Sequence, residues 1–194
     1  MHSSPLDKLR SDHRSLAAVL HGMQFLVEDI ATRHAKPDFR VFRAMIYYID
    51  TFSERQHHPA EDRYLLSPLS GRNAAVDAML SRIEDEHRRG TSLIRELEQA
   101  MLHYEEGGPS EAAAFKSAVD RYAEFHWRHM RYEESDLFPA AERLLSKSDW
   151  VALAAALAGR ADPMAEVAQE REFERLFSHI VAIAPPPIGV GPAA

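Results

Sequence analysis

The chain has 194 residues, 45% hydrophobic and 27% charged, which suits one domain with a substantial core rather than two. A net charge of −7 argues against a broad phosphate-binding surface, and so against a nucleic-acid partner. With no cysteine the chain cannot build disulfides, iron–sulfur clusters, thiolate zinc sites or a thiol nucleophile, and the composition fits a reducing, cytoplasmic setting.

Ala, Leu, Glu and Arg dominate and β-branched residues are sparse, so an all-α fold is expected. The first helix is predicted from about Pro5 to His34, with Leu6, Leu9, Leu16, Leu20, Val27 and Ile30 at helical spacing and His13 on the same stripe. Lys36-Pro37-Asp38 ends it and caps a second helix from Asp38 to about Leu66. The inward face of that helix reads Phe42, Ile46, Ile49, Ser53, His57, Glu61, Leu65. A third helix, about Ala74 to Glu106, carries Val76, Leu80, Ile83, His87, Ile94, Leu97 and Met101. Gly107-Gly108-Pro109 breaks it before a fourth helix from about Ser110 to Ser146. On this last helix Phe115, Ala118, Tyr122, Phe125, His129 and Glu133 share one side, and Pro139 predicts a kink or break just beyond them.

Two shorter helices, about 149–158 and 163–180, are expected next. Trp150, Leu153, Leu157, Phe173 and Leu176 would then cover one end of the molecule or form a homodimer contact. The Pro-rich segment 184–194 reads as an extended, mobile tail. The expected architecture is a single domain over residues 1–183. Its up-down-up-down four-helix bundle occupies about 6–146, and a helical extension covers 148–180. No apolar run approaches the roughly 18 residues of a membrane span, so no membrane association is expected.

His57 and Glu61, and again His129 and Glu133, stand four residues apart, which puts an imidazole and a carboxylate on one helical face. With 11 His and 18 Glu among 194 residues, about one such pair arises by chance, so the spacing alone decides little. Height along the bundle decides more. The midpoint of His13 and His57 is residue 35, that of His57 and His87 is 72, and that of His87 and His129 is 108. All three fall on or beside a predicted turn. In antiparallel neighbours this sets the four histidines at one level, with Glu61 and Glu133 a turn away.

Carboxylates in an apolar core carry a desolvation cost of several kcal/mol unless paired or coordinated, and cations between them remove their mutual repulsion. A mixed imidazole and carboxylate set suits iron or manganese. His126, Tyr122, His58 and Glu134 are the supporting candidates around such a centre. By helical geometry His58 points about 100° from His57, toward solvent, with approach to the metal as the lesser alternative. Glu54 and Glu134 read as solvated carboxylates, Tyr122 as core packing, and His126 as a supporting or surface residue. His2, His21, His34, His103 and His179 read as surface residues. No general acid or nucleophile stands out beyond the candidate ligands, so no catalytic residue is assigned.

The pattern His13, His57-His58-Pro59-Ala60-Glu61, Asp85-Glu86-His87, and His129-Met130-Arg131-Tyr132-Glu133-Glu134 ending in Leu137-Phe138-Pro139 resembles the hemerythrin-like (HHE cation-binding) family. The resemblance covers about residues 6–146 and implies a four-helix bundle around two non-haem iron ions, with manganese or another divalent metal as substitutes. By position it makes His13, His57, His87 and His129 terminal ligands, and Glu61 and Glu133 bridges. It implies binding of dioxygen or nitric oxide, or sensing of iron or oxygen. The alternative is a di-iron enzyme acting on hydrogen peroxide or in nitrosative or oxidative stress. Oxygen-carrying members use five histidines and two carboxylates, with a histidine pair on the third helix. Here Thr91 stands four residues after His87, so the resemblance leaves four histidines and argues against reversible oxygen transport.

Overall fold

Four long helical stretches are laid down in sequence, each started by a residue suited to the task. In the computed structural model, which describes residues 4–157, 175, 176 and 178–191, the first helix is Pro5–Arg33. Pro5 occupies its first turn, where no backbone N–H is needed, and the Ser4 N–H donates to Asp7 at 3.0 Å. Asp38 caps the second helix by accepting from the Arg40 N–H at 2.9 Å, and Asn73 caps the third by accepting from the Val76 N–H at 3.0 Å. The third helix is Ala74–Gly107; Gly108, at φ 78°, turns the chain into a short 3₁₀ turn, Gly108–Glu111. All regular structure among the described residues is helical.

The second and fourth stretches are continuous but not uniformly α. Residues 39–69 alternate α-helix with two wider π segments, Ile49–His57 and Asp62–Leu66. Residues 112–144 contain one such segment, Glu133–Leu137, between Ala112–Tyr132 and Phe138–Leu144. Each π segment ends two residues before a proline: Pro59, Pro68 and Pro139. Proline cannot donate to the carbonyl four residues back and crowds it, and a wider turn absorbs both defects. The break that Pro139 suggests therefore does not occur. The helix widens and continues to Leu144.

Each long stretch packs on the one before and the one after it, and the fourth returns to the first. The buried apolar residues form two separate clusters. One contains Leu16, Met23, Phe42, Ile49, Ile94, Phe115 and Tyr122. The other contains Leu6, Leu9, Leu65, Val76, Ile83, Leu137 and Phe138. On all four stretches the gap between the clusters holds buried polar residues: His13, His57 with Glu61, His87, and His129 with Glu133.

The C-terminal residues differ from the sequence expectation. The helix Lys147–Leu157 buries Leu153 against the second cluster, with Trp150 and Leu157 beside it. Residues 178–183 are also helical, but Ile180, Ile183 and Leu176 pack on the first cluster, so the two pieces cover opposite cores rather than one end. Most of the expected 163–180 helix, Phe173 included, lies outside the described residues. The segment 184–191 is not extended. Ala184 is fully buried, the Pro185 carbonyl accepts from the Ile188 and Gly189 N–H groups at 3.0 Å, and Val190 N–H donates to the Val181 carbonyl at 2.9 Å. Gly189 and Gly191 permit this return, since a Cβ at either would collide with the carbonyls of Val181 or Ile183.

Leu153 has no exposed surface, whereas its near neighbour Val151 is 69% exposed. Leu153→Ala is expected to cost about 2–5 kcal/mol in chemical denaturation, and Val151→Ala no more than about 0.5 kcal/mol.

Candidate metal centre

His13, His57, His87, His129, Glu61 and Glu133 meet in the polar layer, and all six are buried. Glu61 and Glu133 have no exposed surface at all. Glu133 faces two ways. Its Oε2 lies 3.1 Å from His13 Nε2, while its Oε1 lies 3.2 Å from His129 Nε2 and 3.4 Å from His87 Nε2. Glu61 Oε2 lies 3.4 Å from His57 Nε2 and 3.8 Å from His87 Nε2.

A fifth histidine joins them. His58 was expected to face solvent, yet it is 3% exposed and stacks on His87 at 4.2 Å, with His129 edge-on at 5.3 Å. The expectation fails because it assumed regular α geometry. His57 closes a π segment, whose smaller rotation per residue keeps two adjacent side chains on the inner face. The same widening buries Glu54 beside Ser53, so Glu54 is not a solvated carboxylate. Two groups of donors result. His58, His87 and His129 form one, and His13, His57, Glu61 and Glu133 form the other, each compact enough to hold a metal ion.

Every one of the five histidines also turns Nδ1 toward a carboxylate. His13 donates to Glu134 at 2.8 Å, His87 to Asp62 at 2.7 Å, and His129 to Glu86 at 3.0 Å. Asp12 stands 3.5 Å from His57 Nδ1, and Glu54 3.5 Å from His58 Nδ1. The hydrogen bonds at His13, His87 and His129 favour a proton on Nδ1 and turn Nε2 toward the layer, the arrangement that suits a metal ligand, while Nδ1 of His57 and of His58 faces its carboxylate without a well-formed hydrogen bond. Sequence reasoning missed Asp12, Asp62 and Glu86. Their signal was adjacency, for each is the chain neighbour of a residue of the centre on another helix than the one it serves. Of the four supporting candidates, Glu134 contacts His13 with a side chain still 42% exposed. His126 is wholly buried, with both ring nitrogens lacking a hydrogen-bond partner, and the Tyr122 hydroxyl donates to Glu54 at 2.9 Å. His21, His34, His103 and His179 are exposed; His2 lies outside the described residues.

The electrostatics are those of a site that attracts cations. Burial and the charge of Glu133 push the Glu61 carboxyl up to about 7. Burial alone would raise Glu133 too, but His129, His13 and His87 outweigh it and hold that carboxyl well below the usual range. For His13 and His87 burial opposes protonation. Contacts with Glu133, joined by Glu134 for the one and Asp62 for the other, outweigh it and raise both imidazoles to about 10. Even so, His13 Nε2, His129 Nε2, Glu133 Oε2 and both oxygens of Glu61 lack a well-formed hydrogen bond. An unpartnered buried polar group costs about 1–3 kcal/mol, and several converging on one point is what a coordinated cation would relieve. Phe138, Phe125 and Phe52 stack on His13, His129 and His57 and shield the layer from water.

The family model described as the hemerythrin HHE cation binding domain matches residues 4–141. The chain belongs to the hemerythrin HHE cation-binding family. Neither curated proteins nor solved structures give a match. Cation binding is what the family model describes, and this hemerythrin-family chain brings buried His and Glu groups able to provide it. No described helix is long and apolar enough to cross a membrane.

The third helix comes close to the second at Gly90, where a Cβ would sit 3.1 and 3.3 Å from the two Glu54 carboxylate oxygens. Ala normally stabilises a helix relative to Gly by about 0.8–1 kcal/mol. Glu54 is held by Tyr122 and Thr91 and has little freedom to yield, so Gly90→Ala is expected to reverse that sign and destabilise by about 1 kcal/mol in denaturant melts.

Proposed function

We propose that this chain is a non-haem di-iron protein that binds a small diatomic ligand, dioxygen or nitric oxide, or senses iron or oxygen. The observation that carries the reading is the division of seven buried donors into a side with His58, His87 and His129 and a side with His13 and His57, with Glu61 and Glu133 between them. In this reading the five histidines and the two glutamates would together hold the two ions. Imidazole with carboxylate and no thiolate favours iron, and manganese or another divalent ion shares the same donor chemistry. When bound, iron supplies an open coordination position for a small ligand and a change of oxidation state. The chain's own residues hold the metals in place and orient the imidazoles through the Nδ1 partners, while the three phenylalanines keep water out of the layer.

His58 also changes the argument about oxygen. The resemblance alone left four histidines, because Thr91 replaces the second histidine of the third helix. With His58 the centre regains five histidines and two carboxylates, the number used by oxygen-carrying hemerythrins. The missing pair on the third helix therefore no longer counts against reversible binding. The same reading takes the four long helices as an up-down-up-down bundle, supported by the short connections at residues 34–38, 70–73 and 108–111 and by the cyclic packing.

Protein purified without an affinity-metal step and grown with iron is expected to carry about two metal equivalents, and both His87→Ala and Glu133→Ala are expected to lose them. A wild-type chain that stays metal-free by elemental analysis would sink the di-metal reading. Reversible absorption changes on adding dioxygen or nitric oxide to the ferrous protein are expected. Rapid hydrogen peroxide turnover, lost in Glu133→Ala, would place the chain with di-iron enzymes instead.

The raised histidines set a pH dependence. Without metal, His13 and His87 keep their protons up to about pH 10, and Glu61 keeps its proton below about pH 7. Since the ligand forms are deprotonated, metal must displace these protons and affinity must rise with pH. Zinc titration in weak buffer is expected to release protons at both pH 8 and pH 6, and more of them at pH 6, where Glu61 adds its own. Affinity that does not vary between these pH values would contradict the assignment.

A further inference from the structure

Beside the candidate centre lies a second buried polar group that the di-iron reading does not use. Glu54 accepts from the Tyr122 hydroxyl at 2.9 Å and from the Thr91 hydroxyl at 3.2 Å. Its Oε2 lies 3.5 Å from His58 Nδ1 and its Oε1 3.5 Å from His126 Nε2. The Glu54 side chain is only 2% exposed, and His58 and His126 lie stacked in nearly parallel planes, 5.9 Å apart, on either side of it. Gly90 leaves the room the carboxylate needs. A carboxylate so deep in the molecule, gripped by two hydroxyls from the third and fourth helices, is fixed in position. The histidine one turn further along its own helix is the side chain that this fixes.

We propose that Glu54 is a positioning residue that makes His58 a metal ligand. Nδ1 of His58 faces the Glu54 carboxylate at 3.5 Å, an electrostatic contact rather than a well-formed hydrogen bond, so the opposite nitrogen, Nε2, is the one left for the group it forms with His87 and His129. The other four histidines are served by carboxylates on neighbouring helices. His58 is the exception, because its partner comes from its own helix and is itself anchored across the molecule by Tyr122 and Thr91. The third and fourth helices therefore determine, through Glu54, whether the three-histidine side of the centre is complete. His126 lies on the far side of Glu54, its Nε2 3.5 Å from Oε1, and belongs to neither donor group. The inference rests on the di-metal reading and deepens it.

The test is a double-mutant cycle read by cobalt(II) titration of the full chain, which reports stepwise affinity and ligand-field bands together. Wild-type protein is expected to bind about two equivalents. Glu54→Gln, close in shape but uncharged, is expected to weaken one of the two steps by about 10- to 100-fold and to shift its visible bands. His58→Ala is expected to do the same. The double variant should be no worse than His58→Ala alone, because Glu54 acts through that ring. Tyr122→Phe, which loosens the carboxylate while keeping the core filled, should weaken the same step several-fold, and only when His58 is present; this variant carries the test should Glu54→Gln fail to fold. Additive losses in the double variant, or a Glu54→Gln protein that binds cobalt as the wild type does, would overturn the positioning role and leave the di-metal reading standing. A wild-type chain that binds no cobalt would overturn both.

Discussion

Seven polar donors in a dry layer between two apolar cores are the constraint on which the rest of this structure depends. Glu61 and Glu133 are entirely removed from solvent, and neither has enough hydrogen-bond donors around it to replace the water it has lost. An apolar substitution at each of these positions would merge the two clusters into one uninterrupted core, the simpler way to stabilise four helices. The chain instead keeps the layer and surrounds it with phenylalanine. A core interrupted in this way is stable only if something inside the layer compensates the charge. Protons shared between His13, His87 and the glutamates do so in part, and cations do so more fully.

The Nδ1 partners show how the layer is tied to the order of the helices. Asp12 on the first serves His57 on the second, and Asp62 on the second serves His87 on the third. Glu86 on the third serves His129 on the fourth, and Glu134 on the fourth returns to His13 on the first. The cycle closes, and it runs in the same sense as the packing of each helix on the next. Asp62, Glu86 and Glu134 sit at the edge of the layer, partly in water, so their charge is tolerable there, while the buried Asp12 is paired with Lys8 at 3.4 Å. Each adjoins a residue of the centre in sequence because consecutive side chains on a helix diverge by about 100°, one pointing in and the next toward the neighbouring helix.

Much of this was legible in the sequence, and the failures have a common cause. Turn positions set the height of His13, His57, His87 and His129, because helices joined by short turns share a level at equal distance from the turn whatever their exact rotation. Rotation is where the reading went wrong. The second helix presents Ile49, Ser53, His57, Glu61 and Leu65, four steps of four residues, and all five are buried. On a regular α-helix each such step drifts by about 40°, so the last would lie about 160° from the first. A face that stays buried over that length demands wider turns, and Pro59 and Pro68 show where they fall. That four-residue spacing implies the widening, and with it the inward turn of His58 and Glu54. The tail failed for a different reason: its prolines suggest extension, while the glycines between them allow the chain to turn back onto the helix.

The number of histidines in such a centre is then a property of the layer and not of any one helix. Thr91 stands where the third helix could have carried a second histidine, and its hydroxyl instead holds Glu54, which faces His58 on the second. The two changes fit together because the π segment brings both Glu54 and His58 inward on the face toward Gly90 and Thr91. A helix of regular pitch could have presented His57 or His58 to the layer, but not both. The widened turn is therefore what lets the second helix supply two imidazoles to opposite sides of the centre. It also explains why a count of inward-facing histidines by helical spacing alone falls one short.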